Sequence, residues 1–581
     1  MVVPPFIPPT NEADAALRLP VNPLAAFDHL YIRAPHRWLV ALLVGYLIAG
    51  SMFAIYTPPW QVPDEPAHYN NVAHIAKTVT LPVLRMGDYN QEKLQNLLDT
   101  KFVRKLSPGY LRYEAYQPPL YYLVATPVFW LTNGSLLALR LFGVLLGALS
   151  ILLLYLCLTL VFPGKTLIPL GAAAFSALLP MHMAMAASVN NDGLAELLMM
   201  ASMLMLLQWM RHRFYETGVA VESAEGLLES GRRPQSHQLL WLGMLMGLGM
   251  LTKIYAYLML PVVVMVVIAV VWLTPRMQAN LREPVLLAPT RSSFVVGLRR
   301  TFWVLAPAVF FALPMWIRNV ILYGGWDILG LAWHDQVVAG QPRTDAWIAD
   351  VGWIAYSERA FSFTFQSFWG VFGWMSVFMD ERIYTALLVF TGVIFLGVLW
   401  ATVRFISGGP DTDMDAFQLS VLILFGLMLV VVTVGYVGYN FKFVQHQGRY
   451  FFWGLLPIST VIALGWREVL QPLQGAITGF MAAVLAIATA VSGMVTGDVN
   501  KWTVLSIGLI ALILFCQPLF LGGVGPDALR WLPNSTRQWM ARPRVAWVLR
   551  QVRSITWALP FILLFILDLV IPQLFIVPQL D

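Results

Sequence analysis

Charge is scarce in this sequence. Only 12% of its 581 residues are Asp, Glu, Lys or Arg, against 58% hydrophobic. A set of soluble domains is thereby excluded, and the composition reads as a polytopic membrane protein. Cysteine is scarcer still. Cys157 and Cys516 both fall in apolar stretches, which excludes a disulfide framework and leaves the redox compartment open. No Walker loop and no Gly-rich dinucleotide turn is present, so the chain carries no nucleotide-binding module of its own. Internal repeats, common in secondary transporters, are not visible, and no span is read as holding a charge near its middle, the usual mark of an ion path.

What is abundant is apolar length. Stretches of roughly 17–25 apolar residues predict thirteen membrane helices, near 37–56, 135–161, 166–187, 193–210, 239–252, 254–273, 301–317, 384–406, 417–436, 450–466, 473–494, 502–521 and 556–577. The Pro-rich segment 1–36 lacks a basic start, apolar run and cleavage site, so it reads as a disordered cytoplasmic tail rather than a signal peptide. Segment 117–132 opens on two prolines and is short, and the positive-inside rule decides its placement. If it does not cross, the Arg-rich loops at 211–233, 276–300 and 530–553 all fall on the cytoplasmic side. It is therefore read as a half-membrane or re-entrant element, with the N-terminus inside and the C-terminus outside.

This parity gathers chemistry at one face. Pro63-Asp64-Glu65-Pro66-Ala67-His68 follows the first helix, and Glu114-Ala115-Tyr116-Gln117-Pro118-Pro119 closes the next loop. Acids and a histidine where a helix leaves the membrane are costly near lipid and of little use for packing, which points to chemistry. Arg140, Asn190, Asn191, Asp192, Lys253, Arg318, Asn319, Gln447 and Arg449 fall at the same outer face. Two large outer segments, 57–134 and 318–383, flank them. Residues 90–106 place Leu94, Leu97, Leu98, Phe102 and Leu106 on one helical face, the pattern of a helix lying among headgroups. Trp326, Trp333, Trp347, Trp353, Trp369 and Trp374 in the second segment read mostly as an interfacial belt, a minority being left for stacking on a sugar ring.

The Asp-Glu pair after the first helix, the Pro-Pro loop, the outer Arg opening a helix, the acidic Asn190-Asn191-Asp192-Gly193 turn and Leu251-Thr252-Lys253 together resemble the GT-C superfamily of membrane glycosyltransferases. The likeness is to protein O-mannosyltransferases and lipid A aminoarabinose transferases, over roughly 37–273. Trp316-Ile317-Arg318-Asn319, the 367–374 stretch and Gln447-Gly448-Arg449-Tyr450 resemble a bacterial branch of that superfamily. The resemblance implies an all-α GT-C-like fold: a catalytic membrane module at 37–273 and a variable one at 274–581. It also implies inverting transfer of a hexosyl or pentosyl unit from a polyprenyl-phosphate carrier to a glycan, lipid or protein acceptor, at the extracytoplasmic side of a bacterial plasma membrane, in cell-envelope biogenesis.

Each residue carries two readings. Asp64 is either the general base for the acceptor hydroxyl, with Glu65 assisting, or the cap of the helix that follows. Arg140 and Lys253, with Arg318 and Arg449, either meet the donor phosphate or are ordinary helix-end cations. Gln117 stands where the aminoarabinose transferases have Lys, so the phosphate site leans on the other cations. His68, Glu114, Gln117, Asn191 and Asp192 are candidates to hold the substrate. Glu65, His68 and Asp192 also offer donors for a divalent metal, without tight ligand spacing; no other cofactor and no nucleic acid is implied. A polymerase or ligase taking a diphosphate-linked donor, and a lipid-linked-sugar flippase, are the alternatives.

Overall fold

The protein is described by a computed structural model covering residues 31, 34–103, 107–219, 233–280, 291–338, 340–408, 414–497, 499–516 and 533–581. Most of the expected tail 1–36, residues 104–106 of the expected interfacial helix and parts of the basic loops lie outside those residues. The rest is almost wholly helical. The few strand residues include a short antiparallel ribbon, Val371–Phe372 against Val377–Phe378. Among the described residues nine helices are long and apolar enough to cross a membrane, or ten if a bent pair counts as one span. This is a multi-pass membrane protein, but the count of thirteen is not reached. The expected span 166–187 is two helices, Leu167–Ala177 and Pro180–Ala186, bent by 63° where Pro180 cannot continue the hydrogen-bond ladder. Span 450–466 is a 3-10 turn, Gly448–Gly454, followed by Leu455–Val469. Leu120–Leu131, with 12 residues, is about 18 Å long at 1.5 Å per residue, short of a bilayer core of about 30 Å.

The bundle core forms where helices approach closely. On Leu136–Val161, Gly143 and Gly147 lie against the bent pair and the first helix: a Cβ on Gly143 would sit 2.4 Å from the Ala186 carbonyl, and one on Gly147 2.1 Å from the Tyr46 hydroxyl. Small residues at such contacts are what membrane helix packing requires. Contrary to the sequence reading, ionisable groups do lie inside the spans. Glu196 pairs with His182 at 2.9 Å. Arg553 and Asp568 on Pro543–Ile571 are both 0% exposed.

Segments 57–134 and 318–383 pack on each other through a shared apolar cluster. The expected headgroup helix is shorter, Gln91–Asp99. Its Leu94 and Leu97 are buried with Tyr89, Phe102, Leu111, Tyr113, Val337 and Val338 in a separate apolar cluster. Three of the expected belt tryptophans are likewise packed inside. Trp369 is buried, Trp374 stacks on Phe102 and donates to the Trp60 carbonyl, and Trp333 donates to the Leu84 carbonyl. This cluster roofs the acidic loop.

Candidate functional site

The two consecutive acids of the first loop have opposite fates. Asp64 has φ 67°, a left-handed conformation that Asp tolerates better than most residues and that costs on the order of 1 kcal/mol or more. Its side chain caps nothing; the carboxylate instead accepts from Tyr113 Oη at 2.8 Å and from Arg449 Nη2 at 2.9 Å. Glu65, one residue on, turns inward and is 0% exposed. It receives Arg140 Nε at 2.8 Å and Nη2 at 2.6 Å, plus the backbone N–H groups of Trp60 and Val189.

Arg140 is equally engaged. Its remaining N–H groups go to the carbonyls of Ala54, Thr57 and Pro58, so all five donors of the guanidinium are occupied at 3% exposure. This corrects the expected roles: Arg140 has no donor left for a phosphate, and Glu65 no free oxygen edge for an acceptor. Together they tie the end of the first helix, the acidic loop and the 187–191 turn to helix Leu136–Val161.

Three turns then close around Asp64. The Leu120 N–H donates to the Leu251 carbonyl at 2.9 Å, docking the Pro-Pro turn on the Leu-Thr-Lys turn. Asn191 Nδ2 donates to the Thr252 carbonyl and to Gln117 Oε1. Lys253 Nζ reaches both Asn191 Oδ1 and Asp192 Oδ1 at 2.8 Å. Gln117 Nε2 donates to Glu114 Oε2 at 2.9 Å and to Tyr116 Oη at 3.2 Å. Glu114, Gln117, Asn191, Asp192 and Lys253 therefore form one hydrogen-bonded chain. Lys253 at 18% and Asp192 at 38% side-chain exposure stand at its open edge.

Arg449 and Arg318 part company. Arg449 joins the site through Asp64, held by Gln447 Oε1 at 2.6 Å and lying on Met185 Sδ. Arg318 donates to the Pro82 carbonyl and to Asn319, fastening helix Arg291–Tyr323 to the 57–134 loop rather than to the acids. The metal reading fails on geometry. Glu65 belongs to Arg140, Asp192 to Lys253, and His68 Nδ1 lies 2.9 Å from Tyr122 Oη; among the described residues no three His, Cys, Asp or Glu side chains gather as ligands.

The electrostatics separate the two remaining carboxyls. Burial pushes Asp64 up, but Arg449 above all, with His68 and the Tyr113 hydroxyl, outweighs it and holds Asp64 below the usual carboxylate range. Glu114 is pushed above that range by burial and by the neighbouring Asp64 charge. His68 is held down to about 3 by burial and then by Lys253, so it stays neutral. His334, whose ring lies 4.4 Å from that of Tyr116, is also lowered by burial, against the pull of Glu114.

Tyr113 and His334 did not stand out in the sequence. Tyr113 adjoins Glu114, but tyrosine is too common at membrane interfaces to signal a site. His182 and Glu196 were passed over as well, although each is a single ionisable residue within an apolar stretch and so carried a signal. The site also crosses the expected module boundary, because Arg449 lies in the module read as variable.

Residues 86–323 match the family model of dolichyl-phosphate-mannose-protein mannosyltransferases, in keeping with the resemblance to the GT-C superfamily. No curated protein matches the chain. Among solved structures, the oligosaccharyltransferase of Archaeoglobus fulgidus, tethered to an acceptor peptide containing the NVT sequon, is similar at 13% identity and TM-score 0.43, over 91% of this chain and 56% of its own. The chain thus spans little more than half that enzyme's length. ArnT from Cupriavidus metallidurans, bound to undecaprenyl phosphate, is similar at 14% identity and TM-score 0.40, over 92% of this chain and 77% of its own.

Proposed function

We propose that this protein is an inverting glycosyltransferase that moves a hexosyl or pentosyl unit from a polyprenyl-phosphate carrier to an acceptor hydroxyl, with Asp64 as general base. The observation that carries the reading is the state of Asp64. It has a strained backbone, performs no capping, is held at each oxygen by a different donor, and is kept ionised beside a carboxyl pushed the other way. Two titratable groups driven apart by their surroundings are the signature of acid–base assignment. The family match over 86–323 supports the proposed substrate class, a sugar on a lipid phosphate.

In the step proposed, the acceptor oxygen attacks the anomeric carbon and its proton passes to Asp64. The bond from that carbon to the phosphate oxygen breaks on the opposite face, and its electron pair leaves with the lipid phosphate. Developing phosphate charge requires fixed cations, a role assigned to Lys253 and Arg449. Glu114, Gln117, Asn191 and neutral His68 are positioned to hold sugar and acceptor hydroxyls. Arg140 and Glu65 keep the loop in place. The site is assigned to the extracytoplasmic face of a bacterial plasma membrane, with the N-terminus cytoplasmic.

The test is to incubate purified protein in nanodiscs with a panel of polyprenyl-phosphate sugars and envelope extract, following labelled sugar by mass spectrometry beside Asp64→Asn. Donor consumption that falls by about 10²–10⁴-fold in the variant, the range for loss of a general base, supports the reading. Equal turnover in both proteins sinks it, as would donor binding without any bond cleavage in either.

A further inference from the structure

Helix Asp192–Val219 joins the Asp64 site to a second, unassigned one. Arg211 lies 19 residues along it from Asp192, about 28 Å at 1.5 Å per residue, close to the thickness of a hydrocarbon core. There a cavity of about 370 Å³ is lined by Leu160, Gln208, Arg211, His212 and Tyr215. No acid is among these residues. Arg211 stacks on the Tyr215 ring at 5.9 Å. The acid just beyond, Asp415, receives the Tyr215 hydroxyl on one oxygen and the Gln418 N–H on the other. The cavity thus presents a guanidinium and an amide to whatever enters. Arg300 lies within electrostatic reach of both Arg213 and Arg299 at the same end of the bundle, and the local field favours an anion.

The opposite wall says which anion. Leu160 is the last of a row on helix Leu136–Val161 with Leu156, Leu149 and Leu145, which are 41%, 40% and 50% exposed. Their spacings of 4, 11 and 15 residues keep them within about 60° of one helical face at 3.6 residues per turn. An exposed apolar row therefore runs from the basic cavity toward the membrane midplane. A headgroup pocket continuous with an acyl-sized track fits a lipid better than a free ion.

We propose that this cavity binds the phosphate headgroup of an anionic diacyl phospholipid in the leaflet opposite the Asp64 cluster. The proposal does not depend on the reaction assigned above. It is tested with the full chain in nanodiscs of phosphatidylcholine containing a minority of phosphatidylglycerol, read by native mass spectrometry of lipid retained after release. The wild type is expected to keep phosphatidylglycerol over phosphatidylcholine. Arg211→Gln is expected to lower that retention about fivefold, the worth of one basic residue at an anionic surface. Gln208→Arg is expected to raise it, and this gain decides the matter if Arg211→Gln fails to fold. Equal retention of the two lipids, or retention unchanged in both variants, overturns the proposal. Displacement of the lipid by millimolar inorganic phosphate would mark a small-anion site instead, and overturns it too.

Discussion

Asp64 and Arg449 are 385 residues apart in the chain and 2.9 Å apart in the fold. The pair joins the first loop of one half of the protein to a loop between late helices of the other, and it fixes the charge of the residue on which the proposed chemistry turns. Arg449 is itself only 10% exposed, so the interaction is shielded from screening by salt.

Arg449→Gln should move the acid limb of activity to higher pH. Asp64 lies below its ordinary pKa because Arg449, His68 and Tyr113 together outweigh burial; without the Arg449 cation burial is less opposed, the pKa rises, and the ionised base appears only at higher pH. A pH–rate profile of donor turnover measures this. An unmoved limb would mean that the pair does not set the base.

Tyr113→Phe removes one hydrogen bond to Asp64 and leaves the ring in its apolar cluster. A hydrogen bond to a charged group contributes about 1.5–3 kcal/mol, so kcat should fall by about one to two orders of magnitude, with the same upward drift of the acid limb and little change in donor KM. A KM effect alone would place Tyr113 on the substrate instead.

Arg140→Met should unfold rather than slow the protein. It strands Glu65 as an uncompensated charge at 0% exposure, a loss of about 3–5 kcal/mol for a broken buried pair. The double variant Arg140→Met with Glu65→Leu should recover part of it. Thermal unfolding of detergent-solubilised protein reads both. Normal stability with raised donor KM would restore Arg140 as a phosphate ligand.

Lys253→Met should raise donor KM and lower kcat, since Lys253 meets Asn191 and Asp192 at the open edge of the site. Lys253→Arg should retain part of the activity, because a cation persists. Kinetics in nanodiscs with a titrated polyprenyl-phosphate sugar separate the two parameters.

Asp64→Asn should lower the pKa of Glu114. Burial raises Glu114 first, but the Asp64 charge adds to it, and the amide removes that second cause. Carbon-detected titration of labelled carboxyl groups follows this directly. A Glu114 curve that does not move would mean that the two carboxyls do not interact.

Much of this was legible along the chain. The composition demanded a membrane bundle, and most predicted spans have helical counterparts, because apolar length is a local property. Where that reading failed, the cause was tertiary. Segment 91–99 has the stripe of a headgroup helix, yet its leucines meet a protein cluster built partly from Val337 and Val338; a stripe announces burial without naming the partner. Trp374 looked like a belt residue and closes a roof on Phe102.

The site divides the same way. That Asp64, Glu65, His68, Glu114, Asp192 and Lys253 belong together followed from the sequence, since charges at the ends of membrane spans are expensive and parity alone put them on one face. Which acid faces the open site and which is sealed was beyond it. Asp64 and Glu65 are adjacent and chemically alike, and only a left-handed turn at one residue, together with a guanidinium arriving from position 140 and another from position 449, makes the first a candidate base and the second a buried strut. Sequence fixes which groups are too costly to leave near lipid; three-dimensional contact alone determines which partner offsets that cost and so which charge remains available.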